Sequence, residues 1–170
     1  MKKLIFLAMT LLFVGCNKGD YPPLQTVKQV DLERYLGTWY EIARYEHMFQ
    51  KDCKASKATY AKREDGRISV LNECLTFDGK LKDAKGVARV VDSLTNSKLE
   101  VSFFGPIWGD YWIIMLDEEY SYAVIGHPNR KYLWILSRTP KLPKDKLDFI
   151  LAKLDDFGYT QEKLVWSQHD

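Results

Sequence analysis

Between residues 36 and 138, short runs of alternating apolar and polar positions recur, each closed by a turn signal. The eight runs are LGTWYEIARY, KATYAKR, RISVLNECL, AKGVARVVD, KLEVSFF, DYWIIMLD, YSYAVIG and YLWILSR. Asp65-Gly66, Asp78-Gly79, the loop GPIWG, Glu118-Glu119 and Pro128-Asn129 supply links between them. A period of two predicts half-buried strands, and such short links join antiparallel neighbours. Nothing in the pattern suggests a βαβ crossover. A helix follows: Leu147, Ile150, Leu151 and Leu154 fall at i, i+3, i+4 and i+7, Pro143 suits the first helical position and Gly158 closes the end. Lys144, Asp145, Lys146, Asp148, Lys153 and Asp155 take its outer face. Their mixed signs fit a helix packed on a sheet better than one lying in a membrane surface. KLVWSQ adds a ninth short strand. Eight such strands form a sandwich or close into a barrel, and the alternation alone leaves both open.

GTWYEIAR, residues 37–44, defies the alternation, because neither of its faces is cleanly apolar. Counting from Trp39 places Trp39, Glu41, Ala43 and Tyr45 on one side, with Tyr40, Ile42 and Arg44 on the other.

The first residues stand apart. MKK is a short positive stretch, LIFLAMTLLFV an apolar one too short to span a bilayer, and Gly15-Cys16 a small residue ahead of a cysteine. Together they resemble a bacterial lipoprotein signal, residues 1–15, cut ahead of a lipidated Cys16. The usual Leu three places before the cysteine is Phe13 here. A plain secretory signal and an uncleaved anchor are the alternatives. Residues 16–30 then read as a lipidated tether, and 31–170 as one domain long enough to bury a core. Removing Lys2 and Lys3 with the signal takes the formal charge from +2 to zero. The mature chain has no basic surplus for nucleic acid.

With Cys16 acylated, Cys53 and Cys74 remain, and export favours a disulfide between them; two buried thiols or one reactive cysteine are the alternatives. Ten Tyr, eight Phe and five Trp fit strand propensity and a ligand cavity equally well.

Three separated stretches carry a resemblance: Gly37-Thr38-Trp39, Asp117-Glu118-Glu119-Tyr120 and Arg138, with GTWYEIAR, SFFGP and YLWILSRTP around them. In that order they resemble the lipocalin family, and within it the bacterial outer-membrane lipocalins and apolipoprotein D, over residues 31 to 166. The middle stretch departs from the family's Thr-Asp-Tyr form. The resemblance implies an all-β fold: an eight-stranded antiparallel up-and-down barrel with one C-terminal helix outside and a short ninth strand. It gives Gly37, Trp39 and Arg138 a structural role, the arginine stacking on the tryptophan at the closed end. Trp134 and Leu136 should then face inward, with Leu133 and Ile135 outward beneath the helix. Tyr60, Phe103, Tyr111, Tyr122 and Trp134 match pocket aromatics, and Ala43, Tyr45, Val101 and Ile113 complete the expected ligand-binding wall. Glu41, pointing inward, needs a tyrosine hydroxyl or an arginine beside it. The loops 46–57 and 75–82 should gate the open end.

A cavity of this kind suits an amphiphile with its chain buried, and the resemblance implies a fatty acid or lysophospholipid ligand and no cofactor. The expected protein is a non-enzymatic, lipid-anchored outer-membrane lipocalin facing the periplasm, serving envelope maintenance, with a homodimer left open. Asn17, rather than Asp, after Cys16 leans toward the outer membrane. Haem or porphyrin binding through His47 or a tyrosine, a lipocalin-fold enzyme and a protein-interaction module are the rivals. His47, His127 and His169 show no metal-ligand spacing.

Overall fold

The computed structural model describes residues 21–169, so the signal, Cys16 and the first part of the tether lie outside it. The chain runs through α1 (Leu32–Tyr35), β1 (Gly37–Tyr45), β2 (Cys53–Lys62), β3 (Ile68–Thr76), β4 (Leu81–Val90), β5 (Lys98–Phe104) and β6 (Ile107–Leu116). It continues through β7 (Tyr122–Gly126), β8 (Leu133–Ser137), α2 (Lys144–Lys153) and β9 (Leu164–Trp166). Each strand from β1 to β8 pairs antiparallel with the next, and β1 also pairs with β8, which closes the barrel. In its lower half β1 pairs with β2, Gly37 opposite Tyr60; in its upper half that edge carries β9, Ala43 opposite Trp166. The expected architecture is therefore the observed one.

Strands β2 and β4 begin earlier than their alternation suggests, and β6 takes in most of GPIWG. The open end is accordingly formed by shorter loops than expected, 46–52 and 77–80, together with 105–106 and 127–132. Pro143 caps α2 from outside rather than opening it. Past α2 a 3-10 turn ends at Gly158, whose φ of +78° is the left-handed value that closes a helix.

Two apolar layers hold the molecule together. One fills the barrel's lower interior around Trp39, Leu99, Ile113, Ile125 and Leu136. The other lies outside, where Ile150 of α2 and Leu154 just past its end meet Val124, Leu133 and Ile135. Leu147 and Leu151 flank them, as the stripe on the helix predicts. Lys146 Nζ pins the start of α2 to Asp117 (2.9 Å) and Ser121 (2.6 Å) below the barrel.

Residues 21–30 do more than tether. Leu24 and Val30 are buried, and the segment runs down the outside of β6, with Val27 N–H donating to Ile113 O (3.0 Å) and Val30 N–H to Thr95 O (2.8 Å). The short α1 then crosses the closed end. Asp31 caps it, accepting from the Glu33 and Arg34 amides, and this turn had no counterpart in the alternation.

Candidate functional site

At the closed end the Arg138 guanidinium lies 3.8 Å over the Trp39 ring. Its three nitrogens donate to backbone carbonyls of Tyr120 (3.3 Å), Thr38 (3.0 Å) and Arg34 (2.6 Å), while Trp39 Nε1–H donates to Tyr35 O (2.8 Å). Gly37 has φ of +92°, and a Cβ there would stand 3.4 Å from Arg138 Nη1. The glycine lets the strand turn in beneath the arginine. These residues form a stopper: every polar group is engaged with backbone, and none is turned to a ligand.

The wall above is set by register. Glu41 opposes Leu136, both inward. Between Glu41 and Ala43 the β1–β8 pairing slips by one residue, and such a bulge reverses the alternation above it. Ala43, opposite Ile135, and Tyr45 therefore face outward into the layer beneath α2, and neither lines the interior. The Tyr45 hydroxyl accepts from Thr160 N–H (2.6 Å) and donates to Thr160 O (2.9 Å). Arg44 is correspondingly turned inward opposite Trp134, 1 % exposed, instead of reaching water. Strand β7 runs in unbroken register with β8, Ala123 opposite inward Leu136 and Tyr122 opposite Ser137, so Ala123 is inside and Tyr122 faces outward to the same helix layer. Ala43, Tyr45 and Tyr122 thus leave the expected ligand-binding set.

The remaining expected residues converge inside. Tyr60 and Ile113 are buried low in the barrel, while Val101, Phe103, Tyr111 and Trp134 pack on that core yet stay half-buried. Their pairing gives them the inward parity: Val101 lies opposite Ala88, Tyr111 opposite Leu99 and Trp134 opposite Ile125, all in the inner core, and Phe103 packs on the same core. Leu133 and Ile135 alternate outward as expected.

Two polar groupings interrupt this lining. Deep in the barrel the Tyr111 hydroxyl meets those of Tyr35 (2.8 Å) and Tyr60 (3.0 Å). Burial raises all three pKa values, that of Tyr60 to about 12, so all remain protonated at neutral pH. Three hydroxyl protons serve two hydrogen bonds, which leaves one donor for a ligand's acceptor. Higher up, Glu41 Oε1 accepts from Arg44 Nη1 and from Ser167 Oγ (both 2.7 Å), and Oε2 from Gln50 Nε2 (2.8 Å). The arginine beside Glu41 is thus one of the two partners the sequence called for. Arg44 Nη2 reaches the carbonyls of Gln50 (2.8 Å) and Cys53 (3.2 Å). Gln50 Oε1 accepts from Trp134 Nε1 (2.9 Å) and from His47 Nε2 (2.7 Å). This network ties the 46–52 loop down over the mouth, and Phe49 on that loop stacks on Phe104 of β5 at 6.3 Å. Arg44 and Gln50 were missed because only the bulge turns one inward and only the loop's fold brings in the other.

Cys53 and Cys74 are bridged, with Cα atoms 5.6 Å apart. Cys53 opposes Thr76 and Cys74 opposes Ser56, and the bulge between Cys53 and Ala55 turns Cys53 onto the face of Cys74. The bridge staples the base of the 46–52 loop to β3. A separate groove of about 590 Å³ lies on the outer flank of β3 to β5, among Arg63, Arg67, Leu71, Lys85, Val87 and Trp108. Val70, Gly86 and Phe103 also border it, and its walls carry three cations, so it lacks the enclosure an acyl chain needs.

A closed eight-stranded barrel with a capped floor, an aromatic lumen and one flanking helix defines a small-ligand-binding β-barrel. Residues 30–169 match the family model for the lipocalin-like domain. The chain is 40 % identical over 159 residues to the outer membrane lipoprotein Blc of Escherichia coli K12, covering 92 % of this chain and 90 % of that protein. It is 38 % identical over 170 residues to the Vibrio cholerae protein of the same name, covering 99 % of each. Against mouse apolipoprotein D it is 34 % identical over 158 residues, covering 88 % and 81 %. Among solved structures, insecticyanin from Manduca sexta superposes with a TM-score of 0.74 at 22 % identity, over 89 % of this chain and 87 % of that one, a likeness of fold. The chain belongs to the lipocalin family.

Proposed function

We propose that this protein is a lipid-anchored lipocalin of the outer membrane whose barrel takes up the acyl chain of a fatty acid or lysophospholipid. The observation that carries the reading is the half-buried inner wall of Val101, Phe103, Tyr111 and Trp134 above a sealed floor, with Tyr60 and Ile113 at its base. Apolar surface that stays accessible inside a closed barrel favours a guest that removes it from water. Each methylene buried there contributes about 0.8 kcal/mol before ordering costs. A long chain therefore reaches micromolar affinity, roughly −8 kcal/mol, without a charged clamp. The polar head stays at the mouth, among the 46–52 and 127–132 loops.

The names of the bacterial relatives, outer membrane lipoproteins, support anchoring through Cys16 with the domain facing the periplasm. The interior offers binding surface rather than a catalytic set. Glu41 and Arg44 are engaged with each other and with Gln50, and the tyrosine hydroxyls with one another. Haem has less support, since His47 Nε2 is held by Gln50 within the loop that closes the mouth.

Titration of the mature protein with a fluorescent fatty acid and a fluorescent lysophospholipid tests the reading. Saturable one-to-one binding is expected. No binding of either at concentrations on the order of tens of micromolar contradicts it.

A further inference from the structure

Large apolar side chains are exposed around the open end: Met48 and Phe49 on the first loop, Phe77 and Leu81 at the β3–β4 turn, and Phe104 and Ile107 at the β5–β6 turn. Each is 65 to 82 % exposed, though the lumen lies directly beneath them. At the closed end, the exposed large apolar side chains among the described residues are Leu94 and the less exposed Val91. The turns there carry Arg63, Glu64, Asp65 and Arg67, and Asp117, Glu118 and Glu119. The apolar exposure is therefore concentrated on one pole. Exposed apolar residues gathered into one rim mark an interaction surface, whereas scattered ones do not.

The path of the N-terminal segment identifies what covers that rim. Tyr21 and Pro22 are held at the open end: Arg130 of the β7–β8 loop donates through Nη2 to Pro22 O (2.6 Å), and its guanidinium stands 5.4 Å from the Tyr21 ring centre. The Tyr21 ring also packs against Gly158, where a Cβ would lie 2.7 Å from it. From there the chain descends to Thr95 and Tyr120 at the closed end. It therefore enters the domain beside the mouth. Cys16 is five residues upstream of Tyr21, a span of at most about 17 Å even fully extended. A ten-residue strand such as β4 is roughly 33 Å long, and a tilt of about 40° leaves roughly 25 Å of barrel height. The anchor's reach is less than that height, so with a bilayer against the closed end Cys16 stays outside it and part of its lipid must lie in water, whereas a bilayer at the mouth takes the lipid whole.

We propose that the barrel rests mouth-down on the bilayer that holds its anchor, with Met48, Phe49, Phe77, Leu81, Phe104 and Ile107 seated among the lipid headgroups and upper acyl carbons. The proposal rests on the lipidation of Cys16 proposed above and adds an orientation to it. Docking sets the Phe49–Phe104 contact, which spans the mouth, against the lipids themselves. An acyl chain then passes between membrane and lumen without crossing water.

The test is hydroxyl-radical footprinting by mass spectrometry of the mature lipidated chain in vesicles of phosphatidylethanolamine and phosphatidylglycerol, with the Cys16→Ser chain free of vesicles as reference. Intact mass first establishes the lipid on Cys16. Labelling of Met48, Phe49 and Phe104 is expected to fall several-fold in vesicles, with Leu94, Phe149 and Trp166 unchanged. Equal labelling at both poles, or protection confined to Phe149 and Trp166, overturns the orientation. Protection of Met48 and Phe49 in the vesicle-free chain as its concentration rises assigns the rim to a second copy and also overturns it. A fluorescent fatty acid titration on the same samples separates the two claims. Binding without rim protection rejects docking and leaves the lipid-binding reading. Rim protection without binding does the reverse.

Discussion

Arg138 shows how one residue holds the floor. It stacks on Trp39 and satisfies three carbonyls, so Arg138→Ala removes a cation–π contact and strands buried acceptors. A loss of about 2 to 3 kcal/mol is expected, readable as a fall in thermal midpoint of roughly 5 to 10 °C. No change in the midpoint contradicts the stopper role. Glu41 and Arg44 behave differently, because each is the other's buried counter-charge. Glu41→Gln leaves the guanidinium uncompensated and should cost about 3 kcal/mol, as should Arg44→Met, whereas the double variant should cost clearly less than the sum. Urea unfolding of the four proteins gives the coupling directly, and additive losses contradict it.

His47 in the same network responds to pH. Burial pulls its pKa below the ordinary value, outweighing the Gln50 bond and the Glu41 charge, with Arg44 adding to the depression. The folded state therefore holds the imidazole neutral below about pH 6.5, where the unfolded chain has begun to take up a proton. The unfolded state then binds more protons, so stability is full above about pH 6.5 and falls as pH drops toward the folded pKa. Thermal midpoints between about pH 7 and pH 5 should show this slope. His47→Gln should reduce it without abolishing it, because burial depresses His127 as well. An unchanged slope in the variant contradicts the assignment to His47.

At the scale of elements, most of the architecture was legible because it rests on features written locally. Asp-Gly turns, period-two runs and the Leu147, Ile150, Leu151, Leu154 stripe each report on a few adjacent residues, and the strands and α2 follow them. The inner wall was legible on β8, whose pairing with β7 is unbroken, and on β5 as far as Val101, below the register shift that falls between Val101 and Phe104. It failed on β1, because one extra residue between Glu41 and Ala43 exchanges inside for outside, and on β7, where the resemblance implies an inward Tyr122 but regular pairing with β8 sets it opposite Ser137 on the outer face. A bulge of that kind has no composition of its own; it is set by the pairing partner. The same device brings Cys53 onto the face of Cys74. The disulfide closes a loop with a sequence separation of 21, for which chain entropy gives about 3 kcal/mol of stability. The Cys53→Ser, Cys74→Ser chain should unfold at correspondingly lower urea, and loop 46–52 should be cut faster by protease than in the oxidised protein. Equal proteolysis would show that the Gln50 network alone holds the loop.

For the whole molecule, the division of labour is between a rigid lower half and an adaptable upper one. Below, Trp39, Arg138 and the Tyr35–Tyr60–Tyr111 hydroxyls are locked by packing and hydrogen bonds. Above, the half-buried lumen is covered by a loop held through side-chain hydrogen bonds and one aromatic contact. That arrangement admits a chain-like guest from the mouth and stops it at the floor. The central claim is that the guest lies inside the barrel and not in the outer groove. Photo-crosslinking with a fatty acid bearing a diazirine near its methyl end, followed by peptide mapping, tests it most directly. Adducts are expected on Val101, Tyr111 and Trp134; adducts confined to Leu71, Val87 and Trp108 of the outer flank contradict a guest inside the barrel.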